Sequence, residues 1–180
     1  MASKESVAAL EKHIKDFKPD HRICLGDMFD LRSLRKGVSN QDSEHYDTLV
    51  SDLTMAYGML ERLRPTVFLN GNHEYRLYRV AEEAANGIVR QYATEGIEKL
   101  ETYLRKMGCK VYPYHYQKGV HTLGKVAFIH GYSASQAAVK QSAEVYSPPG
   151  GATVMGHLHR IEAVHAVRHN GAQGYSGGCL

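Results

Sequence analysis

Four short segments hold the residue types best able to do chemistry: "GDMFD" (26–30), "GNHE" (71–74), "IHG" (129–131) and "GHLHR" (156–160). They supply carboxylates at Asp27 and Asp30, an amide oxygen at Asn72, and imidazoles at His73, His130, His157 and His159. One carboxylate, one amide oxygen and several imidazoles form a hard-to-borderline donor set, suited to manganese, iron, zinc or nickel. Any one segment also has a plain reading. Asn and Gly tolerate positive φ and punctuate strands, so Asn70, Gly71 and Asn72 read equally as a turn with His73 on the surface. What the four share is position, since each follows a short apolar run: "ICL", "TVFLN", "VAFI" and "TVM". Ligands of open α/β sheets bind in the crevice beyond the carboxyl ends of strands, where these residues would stand. The glycines let the backbone turn sharply beside a bound ion.

The elements that must position them are readable in outline. "SKESVAALEKHIKDF" spaces Val7, Leu10, Ile14 and Phe17 by three and four, which predicts an amphipathic helix capped by Ser3. A second helix is expected from Glu44 to Arg64, marked by Leu49, Leu53, Tyr57, Leu60 and Leu63 and ended by Pro65. "PDHRICLGD" and "TVFLN" read as strands. Helical patterns return in "YRLYRVAEEAA" and "GIEKLETYLRKM", and strands in "CKVYPYHY", "GVHTL" and "KVAFIHG". A short helix is expected near Ser135 to Gln141, then strands in "ATVMGHLHR", "IEAVHAV" and "GYSGGCL". Helix and strand alternate first and strands dominate later, which predicts an α/β sandwich in a single domain, without repeats or linkers.

Composition narrows the class. The 180 residues, 43% of them hydrophobic, can bury a core. No apolar run is long enough to span a bilayer, and the N-terminal segment lacks the apolar core of a signal peptide, so the expectation is a cytoplasmic protein with no membrane partner. Cys24, Cys109 and Cys179 are odd in number and far apart, which points to core thiols rather than a disulfide framework or thiolate metal site. The net charge of +3 permits an anionic substrate without demonstrating nucleic-acid binding. Eleven histidines is a high count. His13 and His21 flank the first helix, His45 starts the second, and His115 and His121 lie in strand-rich segments without partners at ligand spacing; His165 and His169 follow the "GHLHR" turn, where exposed strand positions suit them better than lining the cleft. The tyrosines of "YRLYR" and "VYPYHY" read as half-buried packing residues.

In motif order the chain resembles the calcineurin-like metallophosphoesterases, whose pattern runs D-x-H, G-D-x-x-D, G-N-H-E or G-N-H-D, H, and G-H-x-H. "GDMFD", "GNHE", "IHG" and "GHLHR" follow that order over residues from about 20 to 160. The resemblance implies a two-sheet αββα sandwich and a binuclear centre of divalent metals, with manganese favoured among Mn, Fe, Zn and Ni. It implies that Asp27 bridges the two metals. Asn72, His130 and His157 would complete one metal's ligands, and His159 would serve the other. His73 would stabilise the transition state or protonate the leaving oxygen, oriented by Asp30. The reaction implied is hydrolysis of phosphate mono- or diesters by a bridging hydroxide, with nucleic acid, phosphoprotein and small esters all open as substrates. Arg32, Arg35, Arg76 and Arg160 follow closely on the motifs and are candidates to clamp phosphate oxygens.

One part of the pattern is missing. No D-x-H precedes Asp27; "PDHR" sets Asp20 and His21 side by side, at the wrong end of the strand. The expectation is therefore a chain lacking the first strand of the sandwich, and ending early at "GYSGGCL", through fragmentation, a late start or natural variation. Asp27, Asn72, His130 and His157 would then bind one metal well. Asp27 and His159 alone would bind the second poorly. The alternative function is a catalytically impaired metal-binding or interaction module that keeps the fold.

Overall fold

The computed structural model describes residues 3–35, 44–165 and 171–178. Five helices and two sheets are arranged along it. The elements are α1 (Lys4–Phe17), β1 (Ile23–Cys24), a 3-10 turn (Arg32–Leu34), α2 (Glu44–Leu63), β2 (Val67–Leu69), α3 (Tyr75–Glu83) and α4 (Gly87–Lys106). They continue as β3 (Lys110–Tyr112), β4 (Val120–Leu123), β5 (Val126–Ile129), α5 (Ala138–Tyr146), β6 (Ala152–Met155), β7 (Ile161–His165) and β8 (Gln173–Gly177). His169 and Cys179 lie outside the described residues. Among those described, no helix is long and apolar enough to cross a membrane.

The first sheet is parallel, in the order β1-β2-β3. Val67, Phe68 and Leu69 of its central strand are all buried, as a strand covered on both faces requires. Helices α2, α3 and α4 pack around this sheet. Their core joins Phe29, Leu31, Leu60, Phe68, Leu77 and Leu104. The second sheet is mixed, in the order β4-β5-β6-β8-β7, and α5 covers part of it through Ala138 and Val139 against Ile129 and Met155. The sheets meet where the Tyr112 hydroxyl and His121 Nδ1 lie 2.9 Å apart, and where His130 reaches the Leu25 carbonyl.

Several local expectations differ from the structure. Helix α4 begins at Gly87, nine residues before the expected "GIEKL". Asn86 caps it by accepting from the amides of Ile88 and Val89. The apolar Ile88, Val89 and Tyr92 of its first turns are exposed, so the periodic signal there is obscured. Helix α5 runs from Ala138 to Tyr146 instead of starting near Ser135. The Ser133 hydroxyl accepts the Ser135 amide in a local turn, a side-chain bond that competes with helix. Phe17, expected on the inner face of α1, is 69% exposed and stacks on His13.

Candidate metal centre

Four strand ends converge. β1 delivers Gly26 and Asp27, β2 delivers Asn72 and His73, β5 delivers His130, and β6 delivers His157 and His159. Asp27, His157 and His159 all adopt positive φ, at 56°, 67° and 54°. Backbone strain of this kind costs about 1–3 kcal/mol per residue and persists where the surroundings over-determine it. The loops touch so closely that a Cβ on Gly71 would collide with the Asp27 carboxylate and lie 2.7 Å from the Asp27 amide nitrogen. Only glycine fits there.

Glu74 locks this arrangement. Fully buried, its carboxylate accepts from the amides of Asp27 (2.9 Å), Gly71 (2.7 Å) and Phe29 (3.0 Å), tying the loop after β1 to the loop after β2. Burial pushes its carboxyl up to about 7, against the opposing pull of those three amides. On the next stretch, Asp52 of α2 accepts from the amides of Asp30 and Leu31, while Arg76 of α3 donates to the Asp30 carbonyl. Leu31 is buried with φ 47°, so this pinning sets an unusual backbone.

At the centre, the Asn72 side-chain oxygen lies 3.0 Å from His130 Nε2 and 2.9 Å from His157 Nδ1. An Asp27 oxygen lies 3.5 Å from the same His130 Nε2. The ligand atoms of Asp27, His130 and His157 all fall within 4.8 Å of one another. His130 is 1% exposed, and burial holds its ring below the usual histidine pKa despite the attraction of Asp27. Its Nδ1 meets the Leu25 carbonyl at 2.6 Å, and a carbonyl only accepts, so Nδ1 carries the ring proton. Nε2 of the neutral ring is then a lone pair facing the oxygens of Asn72 and Asp27. Three electron-rich atoms converge with no hydrogen between them, which fits a cation.

His73 stands at the rim. Its Nδ1 is 3.4 Å from an Asp30 oxygen, longer than a close hydrogen bond, and its Nε2 is 3.8 Å from Asp27. Burial lowers its pKa; Asp27 opposes this, and Arg76 reinforces it. His159 is exposed and close enough to His73 to repel its protonated form, but lies outside the tight cluster.

The four arginines divide. Arg76 is engaged with Asp30, and Arg160 with Glu162 and the carbonyls of Ser135 and Gln136. Arg32 and Arg35 are exposed on the 3-10 turn and its end. Three contributors have no signal in the sequence reading. Asp52 lies between core positions of α2, the Leu25 carbonyl is main chain, and Tyr114 sits edge-on to His130 at 5.7 Å.

Comparison with protein-family models, curated proteins and solved structures returns no match to this chain.

Proposed function

We propose that the chain is a metal-dependent phosphoric ester hydrolase, built on the αββα sandwich of the calcineurin-like metallophosphoesterases whose motif order it shares. The observation that carries this reading is the meeting of Asn72 Oδ1, Asp27 Oδ1 and the unprotonated His130 Nε2 around one point. Asp27, Asn72, His130 and His157 would hold the first divalent cation, with Asp27 and His159 reaching toward a second. Cations held there supply Lewis acidity, which acidifies water and neutralises charge developing on a phosphoryl group.

The residues around the cluster have separate tasks. The Leu25 carbonyl keeps the His130 proton on Nδ1, presenting Nε2 as a donor atom. Glu74 holds the two ligand loops in register through its three amide bonds. His73 is the proton donor to a departing ester oxygen, turned by Asp30, whose own backbone is held by Asp52 and Arg76. An acid so placed contributes roughly 100-fold or more to the rate. Arg32 and Arg35 are the arginines left free of these duties to meet phosphate oxygens.

A second reading, a metal-binding module without turnover, draws on one observation. Among the described residues a single group of three potential His, Cys or carboxylate ligands is found, and His159 is not in it. Manganese titration with elemental analysis, run beside hydrolysis of bis(p-nitrophenyl) phosphate, separates the two. Bound metal with chelator-sensitive hydrolysis supports the hydrolase, and bound metal without hydrolysis supports the module. Failure to bind any metal would overturn both readings.

A further inference from the structure

Beside the cluster, aromatic rings run outward in steps. The Tyr114 ring meets His130 edge-on at 5.7 Å, Tyr75 meets Tyr114 at 5.6 Å, and Tyr78 lies parallel to Tyr75 at 6.3 Å and 14°. Two neighbours in this group are anchored through their hydroxyls, Tyr78 on Glu101 at 2.9 Å and Tyr132 on the His115 carbonyl at 2.8 Å. Tyr75 and Tyr114 make no hydroxyl bond to a described residue. Tyr75 is 40% exposed. It is also the first residue of α3, directly after the locked Glu74 and three residues from Asn72, so its backbone is tied to the ligand loop.

Resting on the hydrolase reading above, we infer that Tyr75, with Tyr114 beside it, is a stacking platform for the base of a nucleotide ester whose phosphorus lies at the Asp27, Asn72, His130 and His157 cluster. An exposed aromatic face takes any nucleobase, because stacking needs only a π surface. Exposed Arg35, near enough to Arg76 to be felt electrostatically, adds positive charge beside the Arg76–Asp30 pair. The substrate class so selected is nucleotidyl phosphodiesters, in preference to esters of simple alcohols.

The test compares thymidine 5′-(p-nitrophenyl phosphate) with methyl p-nitrophenyl phosphate, which share a leaving group and differ only by the nucleoside. With manganese, the wild-type chain is expected to favour the thymidine ester in kcat/KM by roughly tenfold, the scale of one base stacked on one ring. Tyr75→Leu keeps apolar volume and should bring that ratio toward one, while Tyr75→Phe keeps the π face and should restore it. Saturation-transfer NMR of AMP with the metal-free protein gives a readout independent of turnover. The base protons should take up more saturation than the ribose protons, and Tyr75→Leu should abolish the difference. Equal ratios in wild type and Tyr75→Leu, with no preferential saturation of the base, would overturn the platform. Hydrolysis of neither ester, with base saturation still dependent on Tyr75, would instead overturn the hydrolase reading and leave a base-binding surface.

Discussion

His130 donates its Nδ1 hydrogen to the main-chain carbonyl of Leu25 across 2.6 Å. Leu25 stands two residues before Asp27, so the bond that sets the tautomer of the imidazole comes from the same strand end as the carboxylate facing its other nitrogen. A ring from β5 and a loop from β1 are thereby made parts of one donor set.

Metal binding should depend steeply on that set. Manganese titration with elemental analysis is expected to give one cation bound tightly per chain and a second held weakly. His130→Ala and His157→Ala should each weaken the first by more than the roughly 10- to 100-fold that losing an outer partner costs. Two tightly bound cations would show that residues beyond Asp27 and His159 complete the second position.

Glu74 gives a prediction about stability. Glu74→Ala strands the amides of Asp27, Phe29 and Gly71 away from other partners, and each buried donor left unmade costs about 1–3 kcal/mol. Chemical denaturation should show a loss of about 3 kcal/mol or more, with metal affinity falling in parallel. A change under 1 kcal/mol would mean the loops are held by other contacts.

His73→Ala should lower kcat roughly 100-fold while changing manganese affinity little, because the ring stands beside Asp27 at 3.8 Å and against Asp30 but is not among the clustered ligand atoms. Parallel loss of metal and rate would make His73 a ligand. An unchanged rate would remove its role as a proton donor.

The pH dependence of folding should carry a signature of His121. Burial is the main reason its ring holds a proton less readily than usual, and Lys110 and His21 add repulsion; its Nε2 is buried without a hydrogen-bond partner among the described residues. With the native pKa depressed, the unfolded chain binds more protons as pH falls from about 6.5, the unfolded value. The contribution is therefore fully present above that value and is lost as pH falls through the native pKa. Thermal melts should show His121→Phe flattening the decline in Tm below pH 6.5 relative to the parent. An identical slope would mean that other histidines, such as His130, account for the decline.

The sequence by itself determined the strands and the chemistry at their ends. "TVFLN" could only be a buried strand, and the strand after "SPPGG" had to present Gly156, His157 and His159 at its end, because period and turn chemistry are local properties. The Ser3 cap of α1, which accepts the Ser6 amide, was equally legible. Whether Asp27, Asn72, His130 and His157 would meet was decided only by tertiary structure. They belong to two different sheets, and side-chain spacing along one chain carries no information about where two sheets touch. The same reason hid Asp52, which sits mid-helix and acts on the amides of Asp30 and Leu31 more than twenty positions earlier. It also hid the proton on His130, since a main-chain carbonyl has no residue type to read and fixes a tautomer only once the fold has brought the two atoms to 2.6 Å.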